Sequence, residues 1–201
     1  MRSTSCFSIH SRERARKEDF RKLDGNSPQI LHLAIHGFFL PIAKTKPQNY
    51  FDVNIGKDTL IMQQNSMFRS GLVLAGGNFA WMGQELPGVE DGILTAYDIA
   101  HMDLSNTELV VLSACETALG EIEGNEGVIG LQRAFKIAGV KQIMMSLWKV
   151  PDNETVELIT LFYSNWLSGQ STREALRNAQ LSMKEKYLEE PYKWAAFILV
   201  E

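Results

Sequence analysis

The chain has 201 residues, 45% hydrophobic and 22% charged, a balance typical of a single globular domain without a membrane span. Its formal net charge of −4 gives no electrostatic reason to expect nucleic acid or an anionic membrane as a partner. Two cysteines are too few for a disulfide framework, and the first residues contain no hydrophobic export signal. These features favour a cytoplasmic protein.

The first part of the chain combines one polar helix with one apolar strand. Residues 11–23 are rich in helix formers and charges, which predicts a solvated helix. Residues 30–35 form an apolar, strand-like run that ends at His36 and Gly37. A long loop is expected at 41–70, and loops of this length in a compact domain are usually functional or disordered.

A second apolar run leads to a cysteine. A short apolar stretch at 71–75 and a glycine-rich loop are followed by a short predicted helix within 93–104. Residues 109–112 then form a strand-like run, which ends at the small residues Ser113 and Ala114 before Cys115.

The second half of the chain alternates helical and strand patterns regularly. Ser171 and Glu174 have the spacing of a capping box at the start of a helix. Connections of this length allow parallel strand pairing, so the order of elements predicts an α/β fold. The predicted elements are a helix at 127–138, a strand at 142–148, helices at 151–169 and 171–187, and a strand at 194–200.

His36 and Cys115 are the candidate catalytic residues. If the runs at 30–35 and 109–112 are neighbouring parallel strands, their carboxyl ends lie along one sheet edge, where open α/β sheets build their sites. A histidine beside a thiol serves as the base that creates the nucleophilic thiolate. Backbone N–H groups of Gly37 and Cys115 are candidates for an oxyanion hole. The pattern therefore predicts acyl transfer through a thioester.

Each of these residues also has an ordinary structural explanation. A His-Gly pair is common in turns that follow a strand, and a free cysteine often packs as a small buried hydrophobic residue. His32 is expected to be a core or strand histidine. Trp148 and Asp152 follow the strand at 142–148 and are candidates for a substrate pocket, although Asp152 is most simply a helix N-cap.

A nucleotide-binding loop is the alternative interpretation of the glycines after the cysteine. Gly124, Gly127 and Gly130 lie between a predicted strand and a predicted helix. Their spacing matches neither the dinucleotide-binding nor the Walker pattern, so turn geometry and helix packing are the favoured use. The histidines and cysteines repeat no zinc-binding spacing, so neither a metal nor another cofactor is expected.

The chain resembles the CHAT domain family, which comprises caspase-like domains of clan CD cysteine peptidases related to separases and caspases. Residues 31–39 read LHLAIHGFF and resemble the histidine motif of that family. Residues 109–117 read LVVLSACET and resemble its cysteine motif. Further agreement is found at 124–131, 146–150, 174–177 and 194–197.

The resemblance covers residues 28–201 and leaves 1–27 as a partly helical N-terminal segment. It implies a caspase-like three-layer sandwich with a mostly parallel central sheet and a His36–Cys115 dyad. Three departures stand out: Ile35 replaces the usual threonine, the loop at 41–70 is longer than usual, and part of the usual N-terminal strand and helix unit is lacking. A sheet without that strand would present an uncovered edge.

The function implied is that of a cysteine endopeptidase, which hydrolyses peptide bonds in a protein or peptide substrate. CHAT domains usually follow helical repeat arrays, so a regulatory helical-repeat protein or domain is an expected partner. The alternatives are a truncated or non-catalytic CHAT interaction module and a nucleotide-binding α/β domain.

Overall fold

Two β-sheets with helices packed against them form the fold. The structure is a computed structural model, which describes residues 8–11, 14–40, 65–77, 91–113 and 126–201. In chain order the elements are α1 (Lys17–Arg21), β1 (Ile30–Leu33), β2 (His36–Phe39), α2 (Ser66–Arg69), β3 (Ser70–Val73), β4 (Ile93–Thr95), α3 (Ala96–Ala100), β5 (Leu109–Leu112), α4 (Glu126–Ile137), β6 (Gln142–Ser146), α5 (Asp152–Leu167), α6 (Thr172–Lys186) and β7 (Phe197–Val200).

The main sheet has the strand order β1-β5-β6-β7. β1, β5 and β6 are parallel, and β7 is antiparallel to β6. All four residues of β5 are buried, because a central parallel strand is covered on both faces. The predicted α/β fold with a mostly parallel sheet is therefore confirmed.

Helices cover both faces of the main sheet. On β5, Val110 and Leu112 join one apolar cluster and Leu109 and Val111 join the other, as the alternation of side chains along a strand requires. The first cluster includes Leu131 and Phe135 of α4, and the second includes Leu158 and Phe162 of α5 and Ala175 and Ala179 of α6. This layering is compatible with the caspase-like sandwich implied by the resemblance.

A smaller antiparallel sheet, here called the hairpin sheet, has the order β2-β3-β4. Its close packing depends on Gly71, where a Cβ atom would lie 2.7 Å from the Phe38 ring and would collide with the Leu94 carbonyl oxygen. The sequence pattern did not predict this sheet. A strand was expected at 30–35, whereas β1 ends at Leu33 and a new strand begins at His36.

Several other boundaries differ from the predictions. The helix expected at 11–23 is restricted to α1, and the region 93–104 begins with β4 before it turns into α3. Thr95 caps α3 through a capping box with Asp98. The N-cap of α5 is Pro151, so the predicted cap Asp152 is instead the first helical residue, where its charge suits the helix dipole.

The helices and strands predicted in the second half of the chain are all present, with ends shifted by at most three residues. Within the described ranges no strand precedes β1 in the chain. None of the helices that the structure describes has the length and apolar character needed to cross a bilayer.

Candidate functional site

The carboxyl ends of β1 and β5 lie side by side, as predicted. Leu33 and Leu112 are register partners, and the Ser113 N–H donates to the Leu33 carbonyl oxygen at 3.2 Å. His36 is three residues beyond Leu33, and Cys115 is three residues beyond Leu112. Cys115 lies outside the described residues, and its pairing with His36 stays a prediction.

His36 stands where the chain passes from the main sheet to the hairpin sheet. It is the first residue of β2 and the register partner of Val73 on β3. His36 is exposed, whereas Gly37 and Phe38 are buried within the same strand. The imidazole is therefore carried at the surface by a backbone that is paired into the hairpin sheet.

Gly37 is the described member of the predicted oxyanion hole. It lies opposite Leu72 in the register of β2 and β3. A glycine there permits close approach of a ligand to the backbone on the side that carries no Cβ. The participation of the Gly37 and Cys115 N–H groups stays a prediction.

His32 contacts Ser113, which the sequence analysis missed. His32 is on β1, as predicted, and its Nε2 lies 3.1 Å from Ser113 Oγ. His32 pairs with Val111, and side chains two apart on a strand share a face, so the register of the two strands brings Ser113 beside His32.

Aromatic packing from α5 encloses one side of the His32 ring. Its centroid lies 5.8 Å from that of Tyr163, whose ring also contacts Phe162 at 5.2 Å. His32 is exposed as a residue, but partial desolvation of its ring lowers its pKa below the usual 6.5. Burial also raises the pKa of Tyr163 to about 12. His32 is accordingly a neutral imidazole near pH 7.

Trp148 and Asp152 follow the carboxyl end of β6, on the same edge of the main sheet as His36. The Trp148 Nε1–H donates to the Tyr192 carbonyl oxygen at 2.9 Å. Both rings remain half-exposed, at 37% for Trp148 and 48% for Tyr192. Asp152 is exposed in the first turn of α5. The role of Trp148 and Asp152 in a substrate pocket stays a prediction.

The glycines of the alternative nucleotide site do not all lie in a loop. Gly124 lies outside the described residues, whereas Gly127 and Gly130 are within α4. Gly130 packs so closely on Ser70 that a Cβ atom would collide with its Oγ, which supports the helix-packing interpretation. In the ranges the structure describes, no three His, Cys, Asp or Glu side chains form a group able to hold a metal ion.

A family model and two curated relatives match this chain. The family model described as CHAT domain matches residues 3–201, and so begins ahead of the boundary predicted at residue 28, which stays a prediction. Tetratricopeptide repeat protein 28 of Homo sapiens is 33% identical over 117 residues, which are 58% of this chain and 5% of that protein. The protein of the same name in Mus musculus is 32% identical over 117 residues, with the same coverage. The chain thus spans about 5% of the length of these curated relatives.

Proposed function

Since the chain belongs to the CHAT domain family, we propose that it is a cysteine endopeptidase domain with Cys115 as nucleophile and His36 as general base and acid. The pairing of Leu33 with Leu112 carries this proposal. It aligns the ends of the two strands from which His36 and Cys115 follow at equal spacing. Dyad chemistry needs two such groups within hydrogen-bond reach of each other.

The proposed reaction has two halves. His36 accepts the thiol proton as Cys115 Sγ attacks the scissile carbonyl carbon, and the same proton passes to the departing amine when the C–N bond breaks. The acyl group is left on sulfur as a thioester. Water then attacks the thioester while His36 takes a proton from it, and the proton returns to the departing thiolate. Each N–H donor of the oxyanion hole is worth about 3 kcal/mol in comparable sites.

A protein or peptide is the proposed substrate. The half-exposed Trp148 and Tyr192 rings offer apolar contact area at low entropic cost, and Asp152 supplies a negative charge for a basic side chain. The reactive free thiol suits a reducing compartment, so we propose a cytoplasmic location.

A non-catalytic CHAT interaction module is the second candidate. The curated relatives are tetratricopeptide repeat proteins, of which this chain matches about 5%. A helical-repeat protein or domain is therefore a proposed regulatory partner in either case. The module would keep the fold but would not activate Cys115.

Trapping with a peptide that bears a thiol-directed electrophile tests the dyad. We expect rapid labelling of Cys115 in the wild type, no labelling in Cys115→Ala, and labelling slowed at least about 100-fold in His36→Ala. Cys6 serves as an internal control for unassisted alkylation. His101→Ala, which alters an exposed histidine on another element, serves as the matched control and should label at the wild-type rate.

Two outcomes would contradict the proposal. Labelling of Cys115 at the rate of Cys6 in the wild type would favour the interaction module. Labelling of Cys115 that is fast but insensitive to His36→Ala would remove His36 from the mechanism. Mass spectrometry of a peptide library incubated with the purified protein then identifies the cleavage preference.

A further inference from the structure

A side-chain hydrogen bond connects the two strands just ahead of the proposed catalytic residues. His32 Nε2 and Ser113 Oγ are 3.1 Å apart, four residues before His36 and two before Cys115. A main-chain bond from Ser113 N–H to Leu33 oxygen, at 3.2 Å, lies beside it. Ser113 is thus held by β1 through both its backbone and its hydroxyl.

The surroundings of His32 restrict its ring. Tyr163 of α5 packs on it at 5.8 Å, and Tyr163 is itself held by Phe162 at 5.2 Å and Trp166 at 6.3 Å. A neutral imidazole has one donor and one acceptor nitrogen, so it pairs with a hydroxyl without placing a charge beside the ring of Tyr163. The ring orientation is therefore set before any substrate arrives.

We propose that His32 and Ser113 are positioning residues, whose hydrogen bond fixes the ends of β1 and β5 so that His36 and Cys115 meet in reactive geometry. This inference rests on the proposed function and assigns no direct chemistry to either residue. Both strands are already joined by main-chain bonds along their length. The side-chain bond adds a restraint at the end of the ladder, where the backbone pairing of β1 stops.

Misplacement of reacting groups by about 1 Å can cost roughly 100-fold in rate, whereas a hydrogen bond at the surface contributes little to stability. The proposed pair should therefore affect turnover more than folding. Removal of either partner should lower kcat about tenfold and leave KM unchanged, because the proposed role of the pair is to position the dyad and not to bind substrate.

A double-mutant cycle tests the pair. The variants are His32→Phe, Ser113→Ala and the double variant. Phenylalanine at residue 32 keeps an aromatic ring against Tyr163. Hydrolysis of a peptide that the wild type cleaves supplies kcat and KM, and thermal unfolding supplies the fold check. We expect each single variant to lose about tenfold in kcat and the double variant to lose no more than either. Ser113→Thr, which keeps the hydroxyl, should retain activity within about threefold.

Losses that multiply in the double variant would show that the residues act independently and would overturn the inference. Unchanged kcat in both single variants would also overturn it. If His32→Phe does not fold, the two variants of Ser113 test the inference. Ser113→Ala, which loses the hydroxyl, should lower kcat, whereas Ser113→Thr, which keeps it, should not. Failure of the proposed function is distinguishable, since it appears as insensitivity of Cys115 labelling to His36→Ala.

Discussion

Leu33 and Leu112 are partners in the parallel register of β1 and β5, and each stands three residues ahead of a proposed catalytic residue. Both side chains are buried in the same apolar cluster. Core packing of these two leucines therefore sets the spacing between β1 and β5 at their carboxyl ends.

Acidification is expected to destabilise the protein through His32. Its pKa in the folded state is below the ordinary 6.5, so the unfolded chain binds the proton more readily. The stability contributed by the neutral ring is complete above about pH 6.5 and is lost as pH falls through the folded-state pKa. Urea unfolding at pH 7 and pH 5 should show a smaller loss in His32→Gln than in the wild type. Equal losses in the two proteins would refute this assignment. The difference in free energy of unfolding between the wild type and His32→Gln should be constant between pH 7 and 8.

Tyr163 should be the tyrosine that titrates late. Its folded-state pKa of about 12 exceeds the ordinary 10.0, so its contribution to stability is complete below pH 10 and is lost as pH rises through about 12. Ultraviolet absorbance titration of the five tyrosines should include one group near pH 12, and Tyr163→Phe should remove it. A group near pH 12 that persists in Tyr163→Phe would contradict this prediction, and Tyr192→Phe is the control, because the hydrogen bond to Glu190 also raises the pKa of Tyr192.

Gly130 and Ser70 should be energetically coupled. A methyl group at residue 130 would collide with Ser70 Oγ and lie 3.3 Å from the Ser66 carbonyl oxygen. Gly130→Ala should lower the free energy of unfolding by about 1–2 kcal/mol, a net value after the gain in helix propensity. In a Ser70→Ala background the oxygen is gone, and urea unfolding should show at most half that cost. An equal cost in both backgrounds would mean that the strain lies elsewhere.

Ser171 should stabilise α6 from its N-terminus. Its hydroxyl donates to Glu174 Oε2 at 2.7 Å and accepts from the Glu174 N–H. The bonds that Glu174 Oε2 accepts from the Ser171 hydroxyl and the Ser171 backbone N–H lower the pKa of the Glu174 carboxyl. Ser171→Ala should cost about 1 kcal/mol in chemical denaturation. Ser182→Ala, in the exposed middle of the same helix, is the matched control and should be neutral or slightly stabilising. Similar losses in both variants would exclude a capping role.

Signals within a single stretch of sequence predicted some of the elements. The capping box at Ser171 and Glu174 marks the start of α6, and the apolar run of β5 marks a strand buried on both faces. The parallel pairing of β1 with β5 was the condition on which the predicted site depended, and the structure shows it. Asp152 was displaced from the expected cap by one residue, because Pro151 occupies that position with the extended backbone that a cap requires.

The hairpin sheet could not be predicted in the same way. β2, β3 and β4 have four, four and three residues, too few for a period to be recognised, and long segments separate β2 from β3 and β3 from β4. Their pairing depends on contacts such as Gly71 against Phe38, which only the folded chain brings together. The bond between His32 and Ser113 was missed for a related reason, since it required the register of β1 and β5 as well as their adjacency.

Only Ala34 and Ile35 separate β1, a strand of the main sheet, from β2, a strand of the hairpin sheet. The imidazole of His36 and the hydroxyl of Ser113 are therefore held by different sheets. The backbone of His36 is paired into the hairpin sheet, whereas that of Ser113 continues directly from β5. Both sheets contribute side chains to the same apolar cluster, Leu72 and Leu94 from one and Val110 and Leu112 from the other. The proposed dyad therefore combines segments of two sheets that share one core, so substitutions in that core should affect both supports at once.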